Sequence, residues 1–307
     1  MNQKSGNTRN QIVRPMRPRE MQDSLNHYLY HPLAWQLARQ LARTPITPNV
    51  VSVIGGLMVV AAAIAYAQPG WPGPALLGMA LHMGWHVVDG ADGDLARITG
   101  RASPIGEMVD GLCDYSSHVV LYLVLGWLLH GLMGSAAWWW MLAAGLSHAV
   151  QSNHVEVQRR SYQWWVHGTP WIRHSHGSTD AATRKSVFGA LVSAYLGAAA
   201  AMTPHAARID AAVDGAKGDP AALERYRGIV RSEAPKLLFI CKVLGPNPRA
   251  VVLGLSMLAA GRSGMGPLYY FIYQAVVLNL VLALSLAAHN AANRRMADAM
   301  EGAPHVA

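Results

Sequence analysis

Two stretches decide how this chain reads: Asp89-Gly90-Ala91-Asp92-Gly93-Asp94-Leu95-Ala96-Arg97 and, eight residues later, Gly106-Glu107-Met108-Val109-Asp110-Gly111-Leu112-Cys113-Asp114. Apart from these acids, both lie in strings apolar enough to be membrane helices. Asp89 and Asp92 are three positions apart and Asp110 and Asp114 four, so in helices each pair shares a face. Two helices then offer four carboxylates to one point. Uncompensated carboxylates at membrane depth are costly and mark function, and they need cations or a wet cavity beside them. Divalent metal is the natural compensation, because hard oxygen ligands suit magnesium or manganese.

Outward from this pair the chain is consistently apolar. Of 307 residues 52% are hydrophobic and only 14% charged, too little polar surface for a soluble globule of this size. An all-α, polytopic membrane helix bundle is expected, with six spans at about 50–67, 75–96, 104–130, 136–157, 237–260 and 268–288. The run from Gln68 to Pro74 closes the first span as a turn. Ser103 and Pro104 read as N-cap and first helical position of the third. Cys113 and Cys241 make neither a disulfide framework nor a ligand-spaced pair. No apolar signal-peptide core follows Lys4, Arg9, Arg14, Arg17 and Arg19, so this basic arm is expected to stay in the cytoplasm.

Charge placement orients the bundle. The turns after spans one and three carry no Lys or Arg, whereas Arg97, Arg101, Arg159, Arg160, Arg294 and Arg295 flank the opposite ends. Those ends are expected to face the cytoplasm, with all four aspartates beside them and Trp71 and Trp138 to Trp140 forming an outer aromatic belt. In residues 32–43, Leu33, Leu37 and Leu41 share a face that excludes Arg39 and Arg43, which reads as an interfacial helix. The expected division is therefore a basic arm and amphipathic helix (1–49), spans one to four with the acidic motif (50–160), a cytoplasmic or interfacial helical insertion (161–235), spans five and six (236–290), and a cytoplasmic tail (291–307). In the insertion, residues 187–201 are read as interfacial, and Asp219 and Pro220 as the start of a short helix.

Written out, the motif is D-x2-D-G-x2-A-R-x8-G-x3-D-x3-D, and it resembles the signature of the CDP-alcohol phosphotransferase family at every fixed position. The resemblance implies transfer of a substituted phosphoryl group from a CDP-alcohol donor to an alcohol acceptor, with release of CMP. A diphosphate would be repelled by the carboxylates unless Mg2+ or Mn2+ neutralises both, and two metals also stabilise the attacked phosphorus and its leaving group. Asp89, Asp92 and Asp110 are the expected metal ligands. By similarity to the family, Asp114 is the general base and also touches the second metal. Gly93, Ala96 and Gly106 lack bulk and let the nucleotide lie against helix backbone, while Arg97 is a candidate phosphate clamp. By resemblance Asn49 belongs to the nucleotide pocket; Ser52 stands where Thr is expected.

Alternatives attach to each feature. Intramembrane acids also serve ion-coupled transporters, but that reading gives no reason for the spacing of Gly, Ala and Arg. Asp94 and Glu107 fall at variable motif positions and read as pocket rim. His82 and His86 are four apart and suit zinc, but lack a third ligand at suitable spacing, so hydrogen bonding between helices is favoured. His174 and His176 read as solvated loop, and Trp164 with Trp165 as an interfacial anchor. Arg159 and Arg160 either bind the phosphate of an acceptor or only obey the positive-inside rule. The favoured substrates are CDP-diacylglycerol and a polar alcohol, inositol-like or a phosphorylated polyol. The reverse pairing, CDP-choline or CDP-ethanolamine with a lipid acceptor, is second. A bacterial inner membrane location is expected, with no nucleic-acid partner, and the family resemblance implies a homodimer.

Overall fold

The computed structural model describes residues 18–170 and 187–302, and every regular element among them is helical. The basic arm before residue 18 and the loop bearing His174 and His176 lie outside the described residues. The helices are α1 (His31–Leu41), α2 (Pro48–Tyr66), α3 (Gly73–Ile98), α4 (Pro104–Met133), α5 (Ala136–His167), α6 (Val187–Met202), α7 (Ala206–Gly215), α8 (Pro220–Val243), α9 (Pro246–Ala259), α10 (Gly266–Ile272) and α11 (Leu278–Glu301). Two short π-helical turns, Asn26–Tyr30 and Tyr273–Val277, lead into α1 and α11.

Four helical stretches are long and apolar enough to cross a membrane: Pro48–Tyr66, Ile105–Met133, Pro220–Ala259 and Gly266–Glu301. The other two expected spans are also continuous helices, of 26 residues in α3 and 32 in α5. Their hydropathy is diluted at one end, by the motif acids and Arg97 in α3 and by the polar run from Gln151 to Arg160 in α5. The helix begun by Asp219 is longer than the sequence suggests. Asp219 caps it by accepting from the amides of Ala221 and Ala222 at 2.9 and 3.0 Å, and α8 then runs through Pro235 to Val243. At 16 residues, α6 is about 24 Å long and short of a full span.

Among the described residues, one compact unit comprises 18–62 and 80–121. Here α3 ends on Gly100 in the left-handed region, where the Arg101 amide donates to the Ala96 carbonyl at 2.8 Å and closes the last turn. Three residues on, Ser103 Oγ accepts from the Gly106 amide at 3.1 Å and starts α4 as its cap. The motif is thus held on two helices by a five-residue turn, residues 99–103, locked at both ends.

In the same unit α1 buries Ala34 and Ala38, not its leucine face, against Val51, Ala91 and Leu95. Leu37 and Leu41 pack at the edge, and Leu33 stays 41% exposed. Small residues win that face because α1 approaches so closely that a β-carbon added at Gly90 would lie 3.1 Å from the Ala34 β-carbon. Between α2 and α4 the approach is similar, with a β-carbon at Gly56 falling 3.3 Å from the Cys113 carbonyl oxygen.

Among the described residues, the second unit comprises 63–79, 122–170 and 187–302. Its α8 packs against α5 and α11, and α7 against α11. Arg208 on α7 binds Asp298 and Glu301 on α11 at 2.8 and 2.6 Å. Trp164 and Trp165 are buried here: Trp165 donates to Asp210 at 2.7 Å, and Lys217 lies over the Trp164 ring at 4.6 Å. Their role is to bind the 206–217 segment to the end of α5, not to anchor an exposed interface.

Because α1 seats on α3 through Gly90, Gly90→Val should destabilise the protein by about 1–3 kcal/mol. The check is thermal unfolding in detergent. Gly90→Ala should lose less, and Ala34→Gly in the same chain should restore most of that loss.

Candidate active site

The aspartates gather on the facing ends of α3 and α4. One carboxylate oxygen from each of Asp89, Asp110 and Asp114 lies within 4.8 Å of the other two. Asp92, one turn further along α3, is buried; the Ser52 hydroxyl of α2 donates to its Oδ2 at 2.5 Å, and its Oδ1 meets the Gly93 amide. Asp92 has Asp110 as a close neighbour, and Asp114 has Asp89 and Trp85. Four carboxyl groups contributed by two helices, supported by a hydroxyl from a third, form one cluster.

Beside it lies a cavity of about 100 Å³. Asp92 and Asp110 belong to its wall, so cavity and cluster are continuous. Asn49, Gly93, Ala96, Arg97 and Gly106 all line it. A β-carbon added at Gly106 would meet Ser103 Oγ at 3.3 Å and Asn49 Oδ1 at 3.6 Å, so glycine there keeps the cavity floor low. Arg97 is 46% exposed in its side chain and is held by Asp94 at 2.5 Å. Asp94, itself almost fully buried, therefore orients the guanidinium and is not part of the metal-ligand cluster.

A cleft walled by small residues and arginine, opening onto a carboxylate cluster, suits a phosphate-bearing ligand next to metal. The family comparison gives the same answer. The model of the CDP-alcohol phosphatidyltransferase family matches residues 45–207, more than half of the chain. The chain belongs to the CDP-alcohol phosphatidyltransferase family. Among curated proteins, phosphatidylinositol phosphate synthase of Cutibacterium acnes (strain DSM 16379 / KPA171202) is 28% identical over 127 residues. That alignment takes in 41% of this chain and 59% of the relative, less than two thirds of its length.

The family assignment makes this an enzyme family with transferase chemistry in the membrane, and the donor set fits its use of divalent metal. Hard carboxylate oxygens converge within ligand range, with no sulfur or imidazole among them. The structure adds five wall residues that the sequence reading did not assign to the pocket: Pro48, Ser52, Arg101, Ala102 and Ser103. For Arg101 a signal existed, since it follows Arg97 by four residues, but α3 stops at Ile98 and the turn, not a helical face, brings it in. Glu107 lines the cavity, as expected of a rim residue.

Not every candidate joins this cluster. In the second unit, Arg160 binds Glu156 at 2.6 Å and Arg159 lies 3.9 Å from the same carboxylate. His82 and His86 are buried in ring contacts instead: His86 against Tyr30 at 5.0 Å and His82 against His118 at 5.6 Å. Their Nδ1 and Nε2 atoms respectively lack hydrogen-bond partners.

If Asp92 depends on Ser52, then Ser52→Ala should cost about 1.5–3 kcal/mol, the value of a hydrogen bond to a charged group. Ser52→Thr should retain it. Mg2+ titration followed by thermal unfolding reads this: wild type and Ser52→Thr should be stabilised by the ion, and Asp110→Asn should not respond.

Proposed function

We propose that the chain transfers the phosphatidyl group of CDP-diacylglycerol to a hydroxyl of a polar alcohol, inositol-like or a phosphorylated polyol, with release of CMP. The observation that carries this reading is the continuity of the three-carboxylate cluster with a cavity walled by Asn49, Gly93, Ala96, Arg97 and Gly106. The name of the Cutibacterium acnes relative supports an inositol-phosphate type of acceptor.

In this reading Asp89, Asp92, Asp110 and Asp114 hold two Mg2+ or Mn2+ ions. Bound there, the ions supply positive charge to the diphosphate and to the phosphorus under attack. The cytidine end lies against Gly93, Ala96 and Gly106, with Asn49 beside it. Arg97, oriented by Asp94, binds a diphosphate oxygen. Asp114 accepts the proton of the acceptor hydroxyl, whose oxygen forms the new bond to the phosphatidyl phosphorus while the bond from that phosphorus to the bridging oxygen breaks. CMP departs with that oxygen, and the proton leaves Asp114 to solvent or product.

The acceptor phosphate is assigned to Arg159 and Arg160, which Glu156 holds in an exposed position at the polar end of α5. The arginine-rich helix ends support a cytoplasm-facing site in a bacterial inner membrane. In this reading the helix within residues 32–43 lies on the inner leaflet, α7 and the start of α8 belong to a cytoplasmic or interfacial insertion, and by resemblance the protein is a homodimer.

Purified protein with Mg2+ is offered CDP-diacylglycerol or CDP-choline, crossed with inositol phosphate, glycerol phosphate, inositol, serine and diacylglycerol, and CMP is measured. CMP should form with CDP-diacylglycerol and a polar acceptor. Asp89→Asn or Asp110→Asn should cut the rate by roughly a thousandfold or more, and Arg159→Ala with Arg160→Ala should raise the KM for a phosphorylated acceptor. CMP formed only from CDP-choline and diacylglycerol would reverse the substrate assignment, and full activity in the Asp variants would remove the metal assignment.

A further inference from the structure

A second group of potential ligands occurs in the other unit, on residues outside the aspartate motif. His154 on α5, Cys241 on α8 and His289 on α11 are all buried, and one ligand atom from each lies within 4.8 Å of the other two. Cys241 Sγ is 3.7 Å from His289 Nε2. In a tetrahedral zinc site with Zn–S of about 2.3 Å and Zn–N of about 2.0–2.1 Å, the sulfur-to-nitrogen edge is about 3.6 Å. The observed separation already matches that edge.

The surroundings are those of a ligand set. His289 Nδ1 lies 2.8 Å from the Ser285 carbonyl oxygen, to which it donates, leaving Nε2 as the lone-pair nitrogen that faces the thiol. A ring N–H given to a backbone carbonyl is how metal-bound imidazoles are commonly oriented. Ser285 Oγ also bridges the two rings, at 2.9 Å from His154 Nε2 and 3.2 Å from His289 Nδ1. His154 is fully buried, yet its Nδ1 has no hydrogen-bond partner. Such an orphaned nitrogen is costly unless something binds it. Val155, Leu244, Leu278 and Leu282 pack around Cys241 and shield the group from water.

We propose that His154, Cys241 and His289 form a binding site for a borderline-soft divalent cation, zinc by its ligand chemistry, which shares no residue with the aspartate cluster. Two imidazoles and a thiolate favour zinc over magnesium by softness, just as the all-oxygen aspartate cluster favours magnesium. Binding releases the thiol proton, and the cation joins α5, α8 and α11 at one point. Cys241 and His289 lie beyond residues 45–207, so this site is not part of what the family match covers.

Cobalt titration of the full-length protein in detergent, stripped with chelator and held in excess Mg2+ to occupy the aspartates, tests the proposal. Co2+ bound to a thiolate gives a charge-transfer absorption that oxygen ligands do not. Wild type should develop this band at about one equivalent per chain and lose it when Zn2+ is added. The band should persist in Cys113→Ser, the cysteine next to Asp114, and vanish in Cys241→Ser. Absence of the band in wild type, which needs no variant to fold, would overturn the proposal and leave a thiol-to-imidazole hydrogen bond. Loss in Cys113→Ser with retention in Cys241→Ser would overturn it equally. His289→Ala should weaken cobalt binding at least tenfold in protein that remains monodisperse.

Discussion

Four carboxyl groups on the ends of two apolar helices are the constraint on which the rest of the first unit depends. Two carboxylates about 4 Å apart repel by roughly 4 kcal/mol at an effective dielectric of 20, and removing each from water adds to that. Ionised together, they persist only if cations or hydrogen-bond donors meet them. The protein supplies Asp92 with donors directly, the Ser52 hydroxyl and the Gly93 amide, while Asp89, Asp110 and Asp114 bring one oxygen each within 4.8 Å of the others, a concentration of negative charge suited to a cation. A site that repels phosphate when empty and attracts it when cations are bound is suited to diphosphate chemistry.

The packing follows from the same requirement. To bring α3 and α4 into register over eight fixed motif positions, the turn between them is fixed by a left-handed Gly100 and a capping Ser103. Helices α1 and α2 come close because Gly90 and Gly56 carry no side chain. Gly93, Ala96 and Gly106 continue this absence of bulk into the cavity wall, where open space takes the place of a neighbouring helix. Asp94 does a different job from the other acids: it is spent on Arg97, holding a cation at the cavity edge.

Much of this was legible in the sequence because local spacing carries it. Asp89, Asp92, Asp110 and Asp114 share faces at separations of three and four, and the Ser103, Pro104, Asp219 and Pro220 signals mark helix starts by short-range hydrogen bonding. On α1 the leucine face is legible as an apolar pattern, whereas the burial of Ala34 and Ala38 is not, because close helix contact selects small residues that no such pattern marks. Trp164 and Trp165 were read as interfacial because nothing in their own neighbourhood announces Asp210 and Lys217. The His154, Cys241 and His289 group was invisible for the same reason: three helices distant in sequence supply one residue each, and only packing unites them.

The most direct measurement of the central claim is phosphorus-31 electron–nuclear double resonance on Mn2+-loaded protein with CDP added. An ion held by the aspartates in contact with the diphosphate should show a phosphorus hyperfine coupling, present in wild type and absent in Asp110→Asn. Mn2+ bound at full occupancy with CDP present but without any phosphorus coupling would contradict the account.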